Sequence, residues 1–127
     1  MFLSHHQQIL LFQFPVLLSR VSPIMQIINK FVLDKHIQEQ PETRKGLLAW
    51  LHEVERHEWN TFSDVFNHFP KAVALKAGRE VAFEIQKDSC YLLSVIDYPT
   101  HVLSILSIGP LKDVLVPRLA KHFQTGS

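Results

Sequence analysis

Apolar residues in the first half of the chain recur every three to four positions, a spacing typical of amphipathic helices. A short apolar segment at residues 25–29 predicts a first strand, and the pattern after it predicts a helix over residues 31–38 that Pro41 ends. A second helix is predicted after Thr43, whose side chain is a typical helix cap, with Gly46 tolerated in its first turn. Its apolar stripe comprises Leu47, Leu48, Leu51 and Val54.

A capping-box pattern marks the start of a third helix. Thr61 is followed three positions later by Asp64, so each side chain can accept a hydrogen bond from the other residue's backbone N–H. The predicted apolar side of this helix comprises Phe62, Val65, Phe66 and Phe69. Pro70 cannot continue a helix and is therefore predicted to end it.

From Ala72 onward the apolar spacing changes to every second residue, the period of a strand with one buried face. The alternation sets Val81, Phe83 and Ile85 against Glu80, Ala82 and Glu84. Turns at residues 87–89 and 98–100 separate two more strands, predicted over residues 91–97 and 102–108, and a short closing helix is predicted over residues 114–123. Helices followed by hairpin-connected strands predict an α+β fold, with helices packed on a small antiparallel sheet.

The first 24 residues carry an apolar run at positions 9–18 that Gln13 and Pro15 interrupt. A secretory signal would place positive charge before this run, where the chain has His5 and His6. The run is also too short for a membrane span. We therefore interpret residues 1–24 as an extension that is disordered or lies upstream of a natural start at Met25, with a targeting segment as the less favoured alternative. Residues 25–127 then form one domain.

Composition and charge exclude several classes of site. The net charge of the chain is +1, and the domain from Met25 onward, without Arg20, has 12 basic and 12 acidic residues, which does not indicate a nucleic-acid binder. The single cysteine, Cys90, excludes an internal disulfide framework and is interpreted as an inert thiol. His52 and His57 are five residues apart, whereas a zinc-binding helix needs two histidines four apart. We predict no metal and no cofactor.

Four segments in a fixed order resemble the HigB-family toxins of bacterial type II toxin–antitoxin pairs. They are AWLHEVERHEW at 49–59, SDVFNHFPKA at 63–72, GREVAFEI at 78–85 and IDY at 96–98, and the resemblance extends over about residues 25–113. The matching positions are Ala49, Trp50, Glu53, Val54, Glu58, Trp59, Asp64, Val65, Phe69, Pro70, Ala72, Arg79, Val81, Phe83, Ile85, Ile96, Asp97, Tyr98, Ile105, Ile108 and Gly109. The matches are mainly packing positions, and Trp50 is expected in the core.

The resemblance implies a RelE/ParE-like fold and an mRNA interferase, an endoribonuclease that cleaves transcripts, often in the ribosome. It also implies a cognate antitoxin with a helix-turn-helix and a cytoplasmic location, with no membrane partner. The departures fall on polar positions: Tyr91 replaces an arginine, Leu106 replaces a basic residue, and residues 110–115 lack the family's closing histidine and tyrosine.

If the chain cleaves RNA, the resemblance and the remaining polar residues give four catalytic candidates. Arg79 and Lys112 would hold phosphates, Tyr91 would orient the ribose or stack on a base, and His101 would transfer a proton. The predicted RNA-binding residues are Lys71, Lys76, Arg79 and Lys87. A shifted site that also draws on His122 stays open.

Two other functions stay open at the level of the sequence. A catalytically degenerate toxin-like module could bind an antitoxin or the ribosome through a helix face and a sheet edge without cleaving RNA. An α+β domain with an unrelated structural role is the third interpretation.

Overall fold

The computed structural model describes residues 24–115 and residue 117. Its helices are α1 (Lys30–Glu39), α2 (Arg44–Glu55), α3 (Phe62–His68) and the single turn α4 (Leu111–Val114). Its strands are β1 (Gln26–Ile28), β2 (Val73–Leu75), β3 (Glu80–Gln86), β4 (Cys90–Asp97) and β5 (Val102–Gly109). Short 3-10 turns at Pro41–Thr43 and Lys76–Gly78 join α1 to α2 and β2 to β3.

The five strands form one sheet in the order β1-β5-β4-β3-β2. Strands β2 to β5 are antiparallel to their neighbours, as hairpin connections require. Strand β1 instead runs parallel to β5, with Gln26 opposite Val102 and Ile28 opposite Ser104. The predicted α+β class is confirmed, and the sheet is mixed because three helices carry the chain across it between β1 and β2.

The main core lies between helices α1 to α3 and one face of the sheet. Trp59 and Phe83 are fully buried at its centre with ring centroids 6.2 Å apart, and Trp50 packs edge-on to Phe83 at 5.4 Å. The sequence-based placement of Trp50 in the core is therefore confirmed. The prediction that Leu48 and Phe66 lie on the buried faces of their helices is wrong, since they are 37% and 48% exposed. In both helices the row of buried apolar residues is narrower than the sequence pattern predicts.

The second face of the sheet is also covered, although β3 was predicted to be half buried. Ala82 is fully buried and Glu80 is 7% exposed. Ala82 belongs to a buried cluster on this face with the strand residues Leu75, Tyr91 and Leu93 and with Val114 and Leu115 from α4 and its end. Because part of this cover comes from α4, which is distant in sequence, the alternation within β3 could not reveal it. The prediction of a solvated face at Glu80 and Ala82 is therefore wrong.

The two predicted helix caps have different outcomes. The Thr61 capping box of α3 is confirmed, and the Asp64 carboxylate accepts the N–H of Thr61 at 3.2 Å. The prediction that the Thr43 side chain caps α2 is wrong. Its hydroxyl donates to the Gln40 carbonyl at 2.7 Å and accepts no N–H of the helix. Thr43 belongs to the 3-10 turn that runs into α2, so its backbone is already helical and its side chain points back.

Two sequence-based predictions fall on residues that the structure does not describe. The apolar run at residues 9–18 lies outside the described residues, as does most of the closing helix predicted over residues 114–123. Within the described part of the chain, no helix is long and apolar enough to cross a membrane.

Candidate functional site

The predicted site residues lie at two opposite ends of the sheet. We call the end with the β4–β5 turn the His101 end; it holds Lys76, Arg79 and His101. We call the end with the β3–β4 turn and α4 the Lys112 end; it holds Lys87, Tyr91 and Lys112. Lys71 precedes β2 and is exposed. At about 3.3 Å per residue, the six residue steps of β4 from Tyr91 to Asp97 separate the two ends by about 20 Å.

The Lys112 end is packed around Tyr91. This side chain is 7% exposed, and its hydroxyl donates to the Glu84 carboxylate at 3.0 Å. Burial, with a further contribution from Glu84, raises the pKa of Tyr91 above its ordinary value. A base could not stack on this ring without displacing its cover, whereas Lys87 and Lys112 are exposed. The end therefore offers surface cations around an enclosed phenol.

Cys90 lies in the same packed region, and the residue is 2% exposed. Burial, and secondarily the charge of Glu42, raises the pKa of Cys90 to about 11. A thiol with so high a pKa holds little thiolate at neutral pH, as expected for an inert cysteine.

His101 occupies a strained position in the β4–β5 turn. Its φ is 59°, in the left-handed region that non-glycine residues rarely adopt. Its N–H donates to the Tyr98 carbonyl at 3.2 Å, and its carbonyl accepts the N–H of Gln26 at 2.8 Å. Both the turn and β1 therefore fix the backbone from which the imidazole projects.

The imidazole of His101 faces two polar residues of the α2–α3 connection. Its Nε2 lies 3.3 Å from a carboxylate oxygen of Glu58 and 3.0 Å from the amide oxygen of Asn60. The His101 side chain is 22% exposed, so one side of the ring is held by protein while part of it reaches solvent. Sequence reasoning missed Asn60, and the available signal was a buried aromatic, Trp59, flanked on both sides by polar residues.

A groove of about 650 Å³ opens beside His101. It is lined by the start of β1 together with Lys30, Glu55, Thr100 and His101. The Lys30 ammonium lies 2.8 Å from the Glu55 carboxylate across its rim. The groove thus combines a partly exposed imidazole, suited to proton transfer, with a hydroxyl and the Lys30–Glu55 ion pair.

The Lys76–Gly78 turn at the same end holds Arg79 in an exposed position. Three successive residues have positive φ, with 51° at Lys76, 58° at Ala77 and 87° at Gly78. The Tyr98 hydroxyl donates to the Gly78 carbonyl at 2.6 Å and so clamps the turn. Lys76 pairs with Glu80 at 3.2 Å. Non-glycine residues in this conformation store strain, which is found preferentially at functional sites.

The histidines in α2 and directly after it do not point to a common ligand. His52 is exposed, whereas His57 lies 2.7 Å from the Glu53 carboxylate and stacks on His68 with ring centroids 3.7 Å apart. The hydrogen bond with His57 lowers the pKa of Glu53. Within residues 24–115, no group of three or more metal-ligating side chains is arranged to hold an ion.

Comparison with known families gives one match. The model of the HigB toxin family, described as the RelE-like toxic component of a toxin–antitoxin system, matches residues 43–113, which is more than half of the 127 residues. No curated protein matches the chain. The matched region includes α2 to β5 and therefore both ends of the sheet.

Proposed function

The chain belongs to the HigB toxin family, the RelE-like toxic component of a toxin–antitoxin system, and we propose that it is an RNA-cleaving toxin. The family implies an antitoxin partner. We propose that this antitoxin carries a helix-turn-helix, that the substrate is mRNA in association with the ribosome, and that the chain acts in the cytoplasm.

The observation that carries the proposed cleavage is the placement of His101. It is a partly exposed imidazole on a fixed backbone, it lines the 650 Å³ groove, and it lies at the same end of the sheet as Arg79. A ribonuclease without a metal needs a group that accepts the proton of the ribose 2′-hydroxyl and a cation near the phosphate. His101 supplies the first of these, and Arg79 is the candidate for the second.

In the proposed reaction, the 2′-oxygen attacks the adjacent phosphorus as His101 takes the 2′-hydroxyl proton. The bond from phosphorus to the 5′-oxygen breaks, and this oxygen takes a proton from water. The hydroxide that remains takes the proton from the His101 imidazolium, which restores the neutral ring. The products are a 2′,3′-cyclic phosphate and a 5′-hydroxyl end. The exposed cations Lys71, Lys87 and Lys112 then hold flanking phosphates of the strand.

The test is cleavage of mRNA by the purified chain with ribosomes, comparing His101→Ala with the wild type. Loss of a proton-transfer group is expected to lower the cleavage rate by about 10²- to 10⁴-fold. His52→Ala is the matched control, since His52 is an exposed histidine on α2, outside the groove. Tyr91→Phe keeps the buried ring and is expected to cleave at nearly the wild-type rate. Equal activity of the His101 variant and the wild type would contradict the proposal.

A second candidate function, binding without cleavage, is favoured by a specific surface. Ile28, Phe31 and Leu106 are 41%, 67% and 39% exposed. Phe31 and Leu106 line one groove between α1 and β5. On the side of β5 away from β4, strand β1 pairs with residues 102–104. Among the described residues, no strand pairs with residues 105–109 on that side. An apolar surface beside an unpaired strand edge suits an extended protein segment.

Growth assays distinguish the two functions. Phe31→Ser should weaken antitoxin binding about tenfold or more in a pull-down titration, because it removes the most exposed apolar side chain of that surface. If the wild type arrests growth and the His101→Ala variant does not, the RNA-cleaving function is favoured. Arrest that survives His101→Ala, without transcript cleavage, would favour the binding module.

A further inference from the structure

The tautomer of the neutral His101 ring follows from its two neighbours. The same ring nitrogen, Nε2, lies 3.3 Å from a Glu58 carboxylate oxygen and 3.0 Å from the Asn60 side-chain oxygen. The Asn60 oxygen lies within hydrogen-bond distance and can only accept, and a lone pair on Nε2 would be repelled by the negative Glu58 oxygen. The proton of the neutral imidazole therefore resides on Nε2, where it is donated to Asn60 and faces Glu58. The other ring nitrogen, Nδ1, is left with its lone pair.

The same reasoning fixes the orientation of the Asn60 amide. If the amide were reversed, its NH₂ group would face an N–H that the neighbouring Glu58 carboxylate favours, and two donors would meet. With the oxygen toward the ring, Asn60 accepts the N–H and the negative charge of Glu58 lies beside it.

Trp59 explains why the side chains of both Glu58 and Asn60 reach the ring. It is fully buried between Glu58 and Asn60, and its ring packs against Phe69 and Phe83 at centroid distances of 6.0 and 6.2 Å. Because the central residue of this segment points into the core, its two neighbours are directed outward, where His101 lies. The backbone N–H of Asn60 also donates to the Asp64 carboxylate at 2.8 Å, which ties the segment to α3.

We propose that Glu58 and Asn60 are positioning residues that hold His101 as the Nε2–H tautomer, so that Nδ1 is the atom that accepts the substrate proton. This proposal rests on the proposed RNA-cleaving function for its catalytic part, whereas the tautomer itself is a property of the protein without RNA. In the reaction, the 2′-hydroxyl proton moves to Nδ1, and Glu58 and Asn60 then face the imidazolium through the Nε2–H that they already hold.

The experiment measures the tautomer and the kinetics on the same variants. Nitrogen-15 NMR of the full chain, with each histidine assigned by substitution, should show His101 with a protonated Nε2 and an unprotonated Nδ1. The double variant Glu58→Ala/Asn60→Ala should show a mixture of tautomers. Its kcat for RNA cleavage should fall by about 10- to 100-fold with KM nearly unchanged, because misplacing a reacting group costs rate and not binding.

Two further variants separate positioning from a general loss of structure. Glu58→Gln keeps an oxygen that can accept the N–H, so it should retain the Nε2–H tautomer and most of the rate. Asp34→Asn removes an exposed carboxylate of α1 and should change neither readout. Two-dimensional NMR spectra of all variants report whether the fold is intact.

Each outcome decides one part of the proposal. Wild-type protein with the proton on Nδ1 would overturn it, whatever the RNA assay shows. A tautomer change in the double variant without loss of kcat would overturn the positioning role. Wild-type protein that shows the Nε2–H tautomer but cleaves no RNA would overturn the proposed function and confine Glu58 and Asn60 to holding the ring.

Discussion

The two ends of the sheet differ in how they use polar residues. At the Lys112 end, Tyr91 is buried, its hydroxyl is bonded to Glu84, and α4 covers the surface. At the His101 end, a partly exposed imidazole is held by Glu58 and Asn60 beside an open groove. At the Lys112 end the buried Tyr91 hydroxyl is already bonded to Glu84, whereas at the His101 end the Nδ1 nitrogen of the imidazole keeps a lone pair that can accept a proton. The chemistry of this scaffold is therefore expected at the His101 end.

The largest expected effect comes from removing the anchor of the His101 end. Trp59→Ala empties a fully buried site that contacts Phe69 and Phe83, and we expect a loss of about 3–5 kcal/mol in the free energy of unfolding. Urea denaturation followed by circular dichroism measures it. The matched change at the other end, Leu111→Ala, removes a half-buried side chain and should cost about 1–2 kcal/mol. Equal losses would contradict the role of Trp59 as the principal anchor.

A glycine at each end provides the next comparison. Gly78, at the His101 end, has a φ of 87°, and an added Cβ would lie 3.0 Å from the Cβ of Phe62. Gly78→Ala should therefore destabilise the fold by about 1–3 kcal/mol, from strain in the left-handed region together with the close contact.

Gly109, at the Lys112 end, is the control for this substitution. An added Cβ there would meet Val114 at 3.4 Å, an ordinary contact distance. Gly109→Ala should change stability by less than about 1 kcal/mol, because the loss of unfolded-state entropy offsets any small displacement. Thermal unfolding of both variants measures the difference. A larger loss at Gly109 than at Gly78 would show that the strained turn contributes little to the His101 end.

The sequence predicted most of the elements because their signals are local. The helix over residues 31–38 is observed as α1, and the strands predicted over residues 91–97 and 102–108 are observed as β4 and β5 with bounds shifted by one residue. The capping box at Thr61 is read from four consecutive residues. Hydrophobic period and turn chemistry suffice for such features, since each depends on neighbours along the chain.

The features that the sequence did not reveal depend on distant contacts. The burial of Ala82 needs side chains from α4, and the Asn60 contact with His101 joins residues 41 positions apart. The parallel pairing of β1 with β5 is also non-local. The remaining polar residues of the sequence could identify His101 as a candidate, but they could not show that Tyr91 and Lys112 lie about 20 Å away at the other end of the strands.

The smallest expected effect is the response to high pH of one weak acid at each end, the half-buried Tyr98 phenol and the buried Cys90 thiol. Burial, and secondarily the charge of Asp64, raises the pKa of Tyr98 to about 12, and burial raises the pKa of Cys90 to about 11. A raised pKa in the folded state gives stability that is complete below the group's ordinary pKa and is lost as pH rises through the folded value. Stability should thus fall from about pH 9 for Cys90 and from about pH 10 for Tyr98.

Lysines also titrate in the same pH range, so the stability of each variant is compared with that of the wild type at each pH. The difference between the two curves gives the loss of stability due to Tyr98 or to Cys90. Tyr98→Phe removes the hydroxyl bonded to Gly78 and should cost about 1 kcal/mol at neutral pH, while its stability should then decline less than that of the wild type between pH 10 and 12. Cys90→Ala should reduce the decline between pH 9 and 11 instead. Urea midpoints at each pH give both curves. Parallel curves for wild type and Tyr98→Phe would show that the Tyr98 phenol is hydrated and that the turn at the His101 end is open to water.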